Sequence, residues 1–221
     1  QVKNKKKNKI DLRKETDIYV PKIQWTKNPN VISVQKLNRL QNKLNIYHAN
    51  ALTGKTVLIL YDPSKTYLNV TYTQELIYLN NKTQFVYSTE RDGYKHYYLH
   101  NMDGQLVSQI TNGNWEAEKL VGIDQSKKTP VLYYISTEDS TMERHLYSVD
   151  VNGKKKTKLS LATGTNRVDM SKDFKYYITF NTSVKNPNTA VLMANKGNKV
   201  IDTLINNAVL IETSKSYDIR P

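Results

Sequence analysis

Two of the four histidines, His96 and His100, stand four residues apart in the run YKHYYLH of residues 94–100. On a helix that spacing would bring both imidazoles to one metal ion. On a strand it keeps them on one face but roughly 13 Å apart, at about 3.3 Å per residue, too far to share a ligand. The aromatic residues around them favour a strand, so the pair is read as two histidines in an aromatic sheet face. Glu90, Asp92, Glu138, Asp139 and Glu143 fall at turns. A general acid and base need a pocket that holds both, so these carboxylates are read as solvated turn residues. No Gly-x-Ser-x-Gly elbow, phosphate-binding glycine loop or dinucleotide fingerprint occurs. With no cysteine there is no thiolate nucleophile, thiolate metal site or disulfide. The triplets at Asn69, Asn81 and Asn181 match the glycosylation acceptor, as chance produces in an asparagine-rich chain. Residue types alone therefore describe a binding or gating scaffold with no catalytic residue, metal or cofactor.

The elements that hold these residues are legible in residues 85–115 (FVYSTERDGYKHYYLHNMDGQLVSQITNGNW). Three aromatic or β-branched runs, 85–89, 94–100 and 106–110, are separated by Arg91-Asp92-Gly93 and Met102-Asp103-Gly104 and closed by Asn112-Gly113. Such runs suit a pleated, largely buried surface, and Asp-Gly and Asn-Gly supply the positive φ of hairpin turns. The unit recurs: residues 134–138 (YISTE) repeat 87–90 in character, and 145–153 repeat 97–104. Gly54, Gly104, Gly153 and Gly197 mark one hairpin per repeat. A four-stranded repeat of this length is the signature of a β-propeller blade. The predicted fold is all-β: about four four-stranded antiparallel blades spanning 18–61, 67–113, 115–163 and 166–206, within a single propeller fragment. Residues 1–17 and 207–221 are expected to be remnants of flanking blades or strands, with Leu210-Ile211-Glu212 starting a strand. Pro21 suits an outer or strand-initiating position.

Sixteen tyrosines against three phenylalanines fit sheet faces whose rings are buried while their hydroxyls keep a partner. The net charge of +13 comes mainly from lysines scattered singly or beside turns, as at residues 5–7 and 154–156. That pattern describes a solvated surface better than the clustered arginine forks of a nucleic-acid reader. No run is long enough for a transmembrane helix, and no charged-then-apolar leader opens the chain. Its start at Gln1 is read as that of a processed or excised piece.

Several segments together carry a resemblance: residues 88–96 (STERDGYKH), 109–116 (QITNGNWE), 134–138 (YISTE) with 143–147 (ERHLY), 32–43 (ISVQKLNRLQNK) and 51–55 (ALTGK). In this order they resemble the propeller domain of the dipeptidyl peptidase IV branch of the prolyl oligopeptidase family. The likeness covers nearly the whole chain from about Ile18. The lysine- and asparagine-rich style is similar to members from Gram-negative gut bacteria such as Bacteroides. The resemblance implies an eight-bladed propeller stacked on an α/β-hydrolase domain, in a secreted or periplasmic serine exopeptidase. Its Ser-Asp-His triad removes dipeptides after proline or alanine, and acidic residues on a short helical insertion hold the substrate's amino group. Neither triad nor insertion matches this chain, which is therefore expected to gate and dock rather than hydrolyse.

The implied partners are a peptide substrate, the hydrolase domain of the same parent chain and a second copy meeting unpaired blade faces to complete a ring; nucleic acid and membrane insertion are not implied. Mammalian members carry an aromatic followed by arginine where this chain has Thr71-Tyr72, and Thr141 stands where a proline usually precedes Met142-Glu143-Arg144. Tyr67, Tyr72 and Trp115 are the candidates for the cavity wall, their other reading being aromatics that pack blade on blade. Two further readings stay open: a stand-alone propeller binding module, and a basic nucleic-acid binder.

Overall fold

The computed structural model describes residues 8–12, 16–69, 75–184 and 186–217. Among them are sixteen strands and one short helix, and the strands form four antiparallel sheets, each joining four consecutive strands in chain order. The first sheet contains β1 (Ile18–Trp25), β2 (Val31–Asn38), β3 (Lys43–Asn50) and β4 (Thr56–Pro63); the second contains β5 (Leu76–Tyr78), β6 (Gln84–Thr89), β7 (His96–Asn101) and β8 (Leu106–Gln109). The third contains β9 (Ala117–Asp124), β10 (Val131–Ser136), β11 (His145–Asp150) and β12 (Thr157–Lys158), and the fourth β13 (Thr165–Met170), β14 (Tyr176–Thr182), β15 (Thr189–Ala194) and β16 (Lys199–Ile205). These meanders are the blade units that the repeat predicts.

Local chemistry explains the meander. The hairpin between the third and fourth strands of every sheet carries its glycine in the left-handed region, with φ of 74° at Gly54, 91° at Gly104, 77° at Gly153 and 77° at Gly197. Two of them are also closely approached: a Cβ on Gly54 would collide with the Lys9 carbonyl, and one on Gly104 with the Ile59 carbonyl. Glycine alone avoids both the steric and the torsional penalty there. Pro21 sits where the β1–β2 register slips, on an edge strand, so its missing N–H costs the ladder little.

Fourth strands are more exposed than the third strands beside them, most clearly in the later sheets. In β7, five of six residues are buried, whereas β12 is two exposed residues and all seven of β16 are exposed. Leu210-Ile211-Glu212, expected as a strand, instead lies in helix α1 (Ala208–Ser214), whose residues are all unburied. A three-residue apolar run carries no period of its own, and Asn207 at φ 48° turns the chain so that its carbonyl accepts from Ile211 N at 2.9 Å. Residues 8–12 lie against the β3–β4 hairpin: Asp11 N donates to Gly54 O at 3.1 Å and Thr56 Oγ1 to Asp11 O at 2.6 Å.

The described chain clusters into two compact units, one of residues up to Gly93 with Tyr97–Ser108, the other of Tyr94–His96 with everything from Gln109. The first has a core of Leu37, Leu44, Ile46, Leu60, Leu76, Phe85 and Tyr87. The second is built on Tyr133, Ile135, Leu146, Val168, Tyr177 and Met193. Each fully buried side chain of this size contributes about 1.5–3 kcal/mol of transfer free energy. The tyrosine bias is explained at the same time. Tyr87, Tyr97, Tyr98 and Tyr147 bury their rings and donate their hydroxyls to Asp62, Glu75, Asp92 and Asp139 at 2.5–2.8 Å.

Candidate functional site

In the first unit, the chain leaving β4 and the β6–β7 turn enclose a cavity of about 500 Å³ lined by Asp62, Ser64, Lys65, Leu68, Thr89 and Arg91, among others. Asp62 forms its base. It is 2% exposed, and its Oδ2 accepts from Tyr87 Oη at 2.8 Å and Thr89 Oγ1 at 2.6 Å. Burial first, and the Asp62 charge second, push the Tyr87 hydroxyl well above its ordinary pKa, so it remains a donor. At the rim the Arg91 guanidinium lies 4.9 Å from the centre of the Tyr98 ring, whose hydroxyl donates to Asp92 Oδ2 at 2.8 Å. A cavity with a buried acceptor at its base and cations at its rim can hold a polar chain end or a carbonyl-rich segment. Tyr67 lies between the lining residues Lys65 and Leu68 and is 58% exposed. Leu68 is pinned by its own N–H to Gln41 O at 2.7 Å. Tyr72 lies outside the described residues.

Trp115 belongs to the second unit, in a file of aromatic rings. It meets the His96 ring edge-on at 4.8 Å and stacks on Tyr134 at 6.3 Å, and Tyr134 in turn stacks on Tyr147 at 5.8 Å. Gly113, at φ 136°, lets the chain fold back over the indole, since a Cβ there would collide with Trp115 Nε1. The Lys156 ammonium lies 5.4 Å from the indole centre. Trp115 is thus fixed by packing while remaining half-exposed.

The turn carboxylates are not simply solvated. Asp139 accepts from Tyr147 Oη at 2.5 Å and pairs with Lys158; Glu138 pairs with Lys156, and Glu143 Oε2 lies 2.7 Å from Nε2 of the fully buried His145. The Lys158 hydrogen bond first, then that of Tyr147, holds the Asp139 carboxyl below its usual range. The partner of Glu143, His145, is what lowers its carboxyl most.

His96 and His100 both lie on β7, as the aromatic run around them predicts, and each has its own surroundings. His96 bonds Thr111 Oγ1 at 3.1 Å and Gly113 O at 2.9 Å, while His100 bonds Gly104 O at 3.0 Å and stacks on Phe85 at 5.3 Å. Among the described residues no group of three or more His, Cys, Asp or Glu is placed to hold a metal ion. Asp62 and His145 were not singled out by sequence reasoning. For His145 a signal existed: aligning Gly104 with Gly153 pairs His96 with His145 and Tyr98 with Tyr147, so the second and third repeats both bury a histidine at the start of the third strand and spend a tyrosine hydroxyl on a turn aspartate.

A family model described as the dipeptidyl peptidase IV N-terminal region matches residues 1–188. The chain belongs to this family. Dipeptidyl peptidase 4 of Porphyromonas gingivalis is a solved structure that matches the dipeptidyl peptidase IV N-terminal chain described here with a TM-score of 0.83 and 36% identity, over 94% of this chain and 29% of that one. The four meanders are therefore β-propeller blades. Among curated relatives, a "Probable dipeptidyl peptidase 4" of Aspergillus flavus is 25% identical over 97% of this chain, and the dipeptidyl peptidase 4 of Trichophyton rubrum 23% identical over 93%. The chain spans 28% of the length of the first and 27% of the second. No described helix is long and apolar enough to cross a membrane.

Proposed function

We propose that this chain is a run of consecutive blades, 18–61, 67–113, 115–163 and 166–206, in the propeller of a dipeptidyl peptidase IV-type serine exopeptidase, exported to the periplasm or beyond. In the parent protein the blades gate access to an α/β-hydrolase domain and dock against it. The carrying observation is the 36% identity to the Porphyromonas gingivalis enzyme across 94% of this chain. Selection is by size: a ring of blades admits a peptide end and excludes a folded protein. Tyr67, Tyr72 and Trp115 form part of the cavity wall. The packing of Trp115 on Tyr134 and His96 supports that role, because a wall residue held on one face presents the other in a fixed place. The substrate is a peptide with a free N-terminus, and hydrolysis belongs to residues outside these blades. A second copy of the chain is a further partner, the unpaired face of the last blade of each copy meeting the first blade of the other.

The test is hydrolysis of chromogenic dipeptides ending in proline or alanine by the full parent chain and by the 221-residue chain alone. The parent is expected to cleave them and the isolated chain to be inert. A parent gene without a Gly-x-Ser-x-Gly domain, or a parent inert toward every such dipeptide, favours the stand-alone binding module instead. In an active parent, Trp115→Ala is expected to change the preference between short and long peptides; an unchanged preference removes Trp115 from the wall.

A further inference from the structure

The second unit holds a groove of about 880 Å³ between its two sheets, at the end where the β9–β10 connection, the β11–β12 and β15–β16 hairpins and the β13–β14 turn converge. This volume is in the range of small-ligand sites. Its wall includes an aromatic in a costly conformation. Phe174 sits at φ 56°, in the left-handed region where a bulky side chain is an outlier. The turn closes with Phe174 N donating to Ser171 O at 3.0 Å and Ser171 N to Tyr176 O at 2.9 Å. The β5–β6 turn has the same bonds, Lys82 N to Leu79 O at 3.1 Å and Leu79 N to Gln84 O at 2.9 Å, and puts Lys82 at φ 61°. The turn itself thus asks for glycine and accepts a flexible residue; a phenyl ring is not a turn requirement.

What the ring does is visible in its surroundings. It stacks on Tyr133 at 5.4 Å and 19°, and it occupies space that a Cβ on Gly122 would invade, at 2.9 Å from Cε1. Asn195 Nδ2 holds both partners, donating to Tyr133 Oη at 2.8 Å and to the Phe174 carbonyl at 2.7 Å. The result is a fixed flat apolar face, still part-exposed, with Tyr176 beside it 48% exposed.

The rim has an independent character. Its acids each keep a lysine at a loose distance: Asp124 with Lys127 at 3.6 Å, Asp150 with Lys155 at 3.7 Å and Asp173 with Lys175 at 3.4 Å. With Lys196 the lining holds four lysines and three aspartates, close to balance in a chain of 33 basic and 20 acidic residues. No strong field is available there to select a charged ligand. Asp124 and Asp173 spend Oδ1 on their own turns, accepting from Ser126 and from Ser171 Oγ and Lys175 N. It is the loosely paired Oδ2 atoms and ammonium protons that are left for a hydroxyl, which both donates and accepts.

We propose that this groove binds a short neutral oligosaccharide, one sugar ring lying flat on Phe174 and its hydroxyls bridging the aspartate–lysine pairs. The apolar C–H face of a pyranose matches an aromatic platform, and its polar edge matches an alternating donor–acceptor rim. A peptide would look for a free strand edge; the outer strand that lines this groove, β12, is two residues long, and no residue of the other outer strand, β16, is among the lining.

The experiment uses the full parent protein with three probes, maltotriose, cellotriose and tri-N-acetylchitotriose, titrated by calorimetry and ligand-observed NMR. At least one is expected to bind saturably. Phe174→Leu, which keeps an apolar filler but no flat face, is expected to weaken that probe by about tenfold or more. Gly122→Ala, which leaves Phe174 in place but displaces its ring, should do the same. In both variants the far-UV circular dichroism and unfolding midpoint should stay near those of the parent, and a variant that fails this check is replaced by Tyr176→Ala. Absence of binding by all three probes overturns the proposal. So does undiminished binding in the folded variants, or saturable binding in this groove of inorganic phosphate or a hexapeptide in place of the sugars.

Discussion

Asp62 in the first unit and Asp139 in the second perform one task in opposite surroundings. Both accept a tyrosine hydroxyl at a strand end, from Tyr87 and from Tyr147. Asp62 is 2% exposed and takes Thr89 as its second donor; the Asp139 side chain is 39% exposed and takes the Lys158 ammonium. A carboxylate surrounded by hydroxyls where water cannot enter is weakly screened, and its removal strands buried donors. A half-exposed ion pair is screened by salt and replaceable by water. The same tyrosine–aspartate device is therefore structural in one unit and peripheral in the other.

The comparison can be broken most directly at Asp62. Asp62→Ala leaves two buried hydroxyls without their acceptor and is expected to destabilise the fold by roughly 2–5 kcal/mol. Urea denaturation measures this, and a loss under about 1 kcal/mol would mean that water reaches the site.

Acidification separates the units next. Burial lowers the His48 pKa from 6.5 to about 4, beside Tyr78 Oη at 2.8 Å. The unfolded chain therefore takes up a proton on His48 before the folded chain does. The stability that His48 contributes is complete above pH 6.5 and declines between 6.5 and about 4, by up to about 3 kcal/mol if fully expressed. His100, also in the first unit, is shifted the same way by burial. Asp139 is a depressed carboxylate, so its contribution persists until the pH falls below its ordinary value of 3.8. Hydrogen exchange followed from pH 7 to pH 4 should show the first unit loosening earlier, and His48→Leu should flatten that dependence. Simultaneous loosening would mean that the histidines are not the cause.

Smallest is the exposed pair. Lys158→Ala is expected to cost about 0–1 kcal/mol, and the difference should vanish in molar salt. A larger, salt-resistant loss would place Asp139 with Asp62 after all.

Local chemistry made most of the fold legible. Gly54, Gly104, Gly153 and Gly197 declared the hairpins because a left-handed residue must be compensated within the turn itself. The tyrosine excess announced hydroxyl partners without naming them. Asp62 is 25 residues from Tyr87, and nothing in the strand period of either segment encodes that meeting. Phe174 was hidden for a different reason: its turn tolerates any residue at a cost, and the repayment comes from Tyr133 and Gly122 on another sheet. The helix α1 was misread because Val209, Leu210 and Ile211 are too few to show whether their period is 2 or 3.6.

Every hydrogen-bonded neighbour within the four sheets is the next strand along the chain. Each closure thus spans only a short loop and costs little entropy. Low contact order makes such pairings fast. A sheet such as Ile18 to Pro63 needs nothing downstream to complete its ladder, so it can form as the chain leaves the ribosome or a translocation pore. Within these four sheets the order of synthesis is then also the order in which the ladders can close.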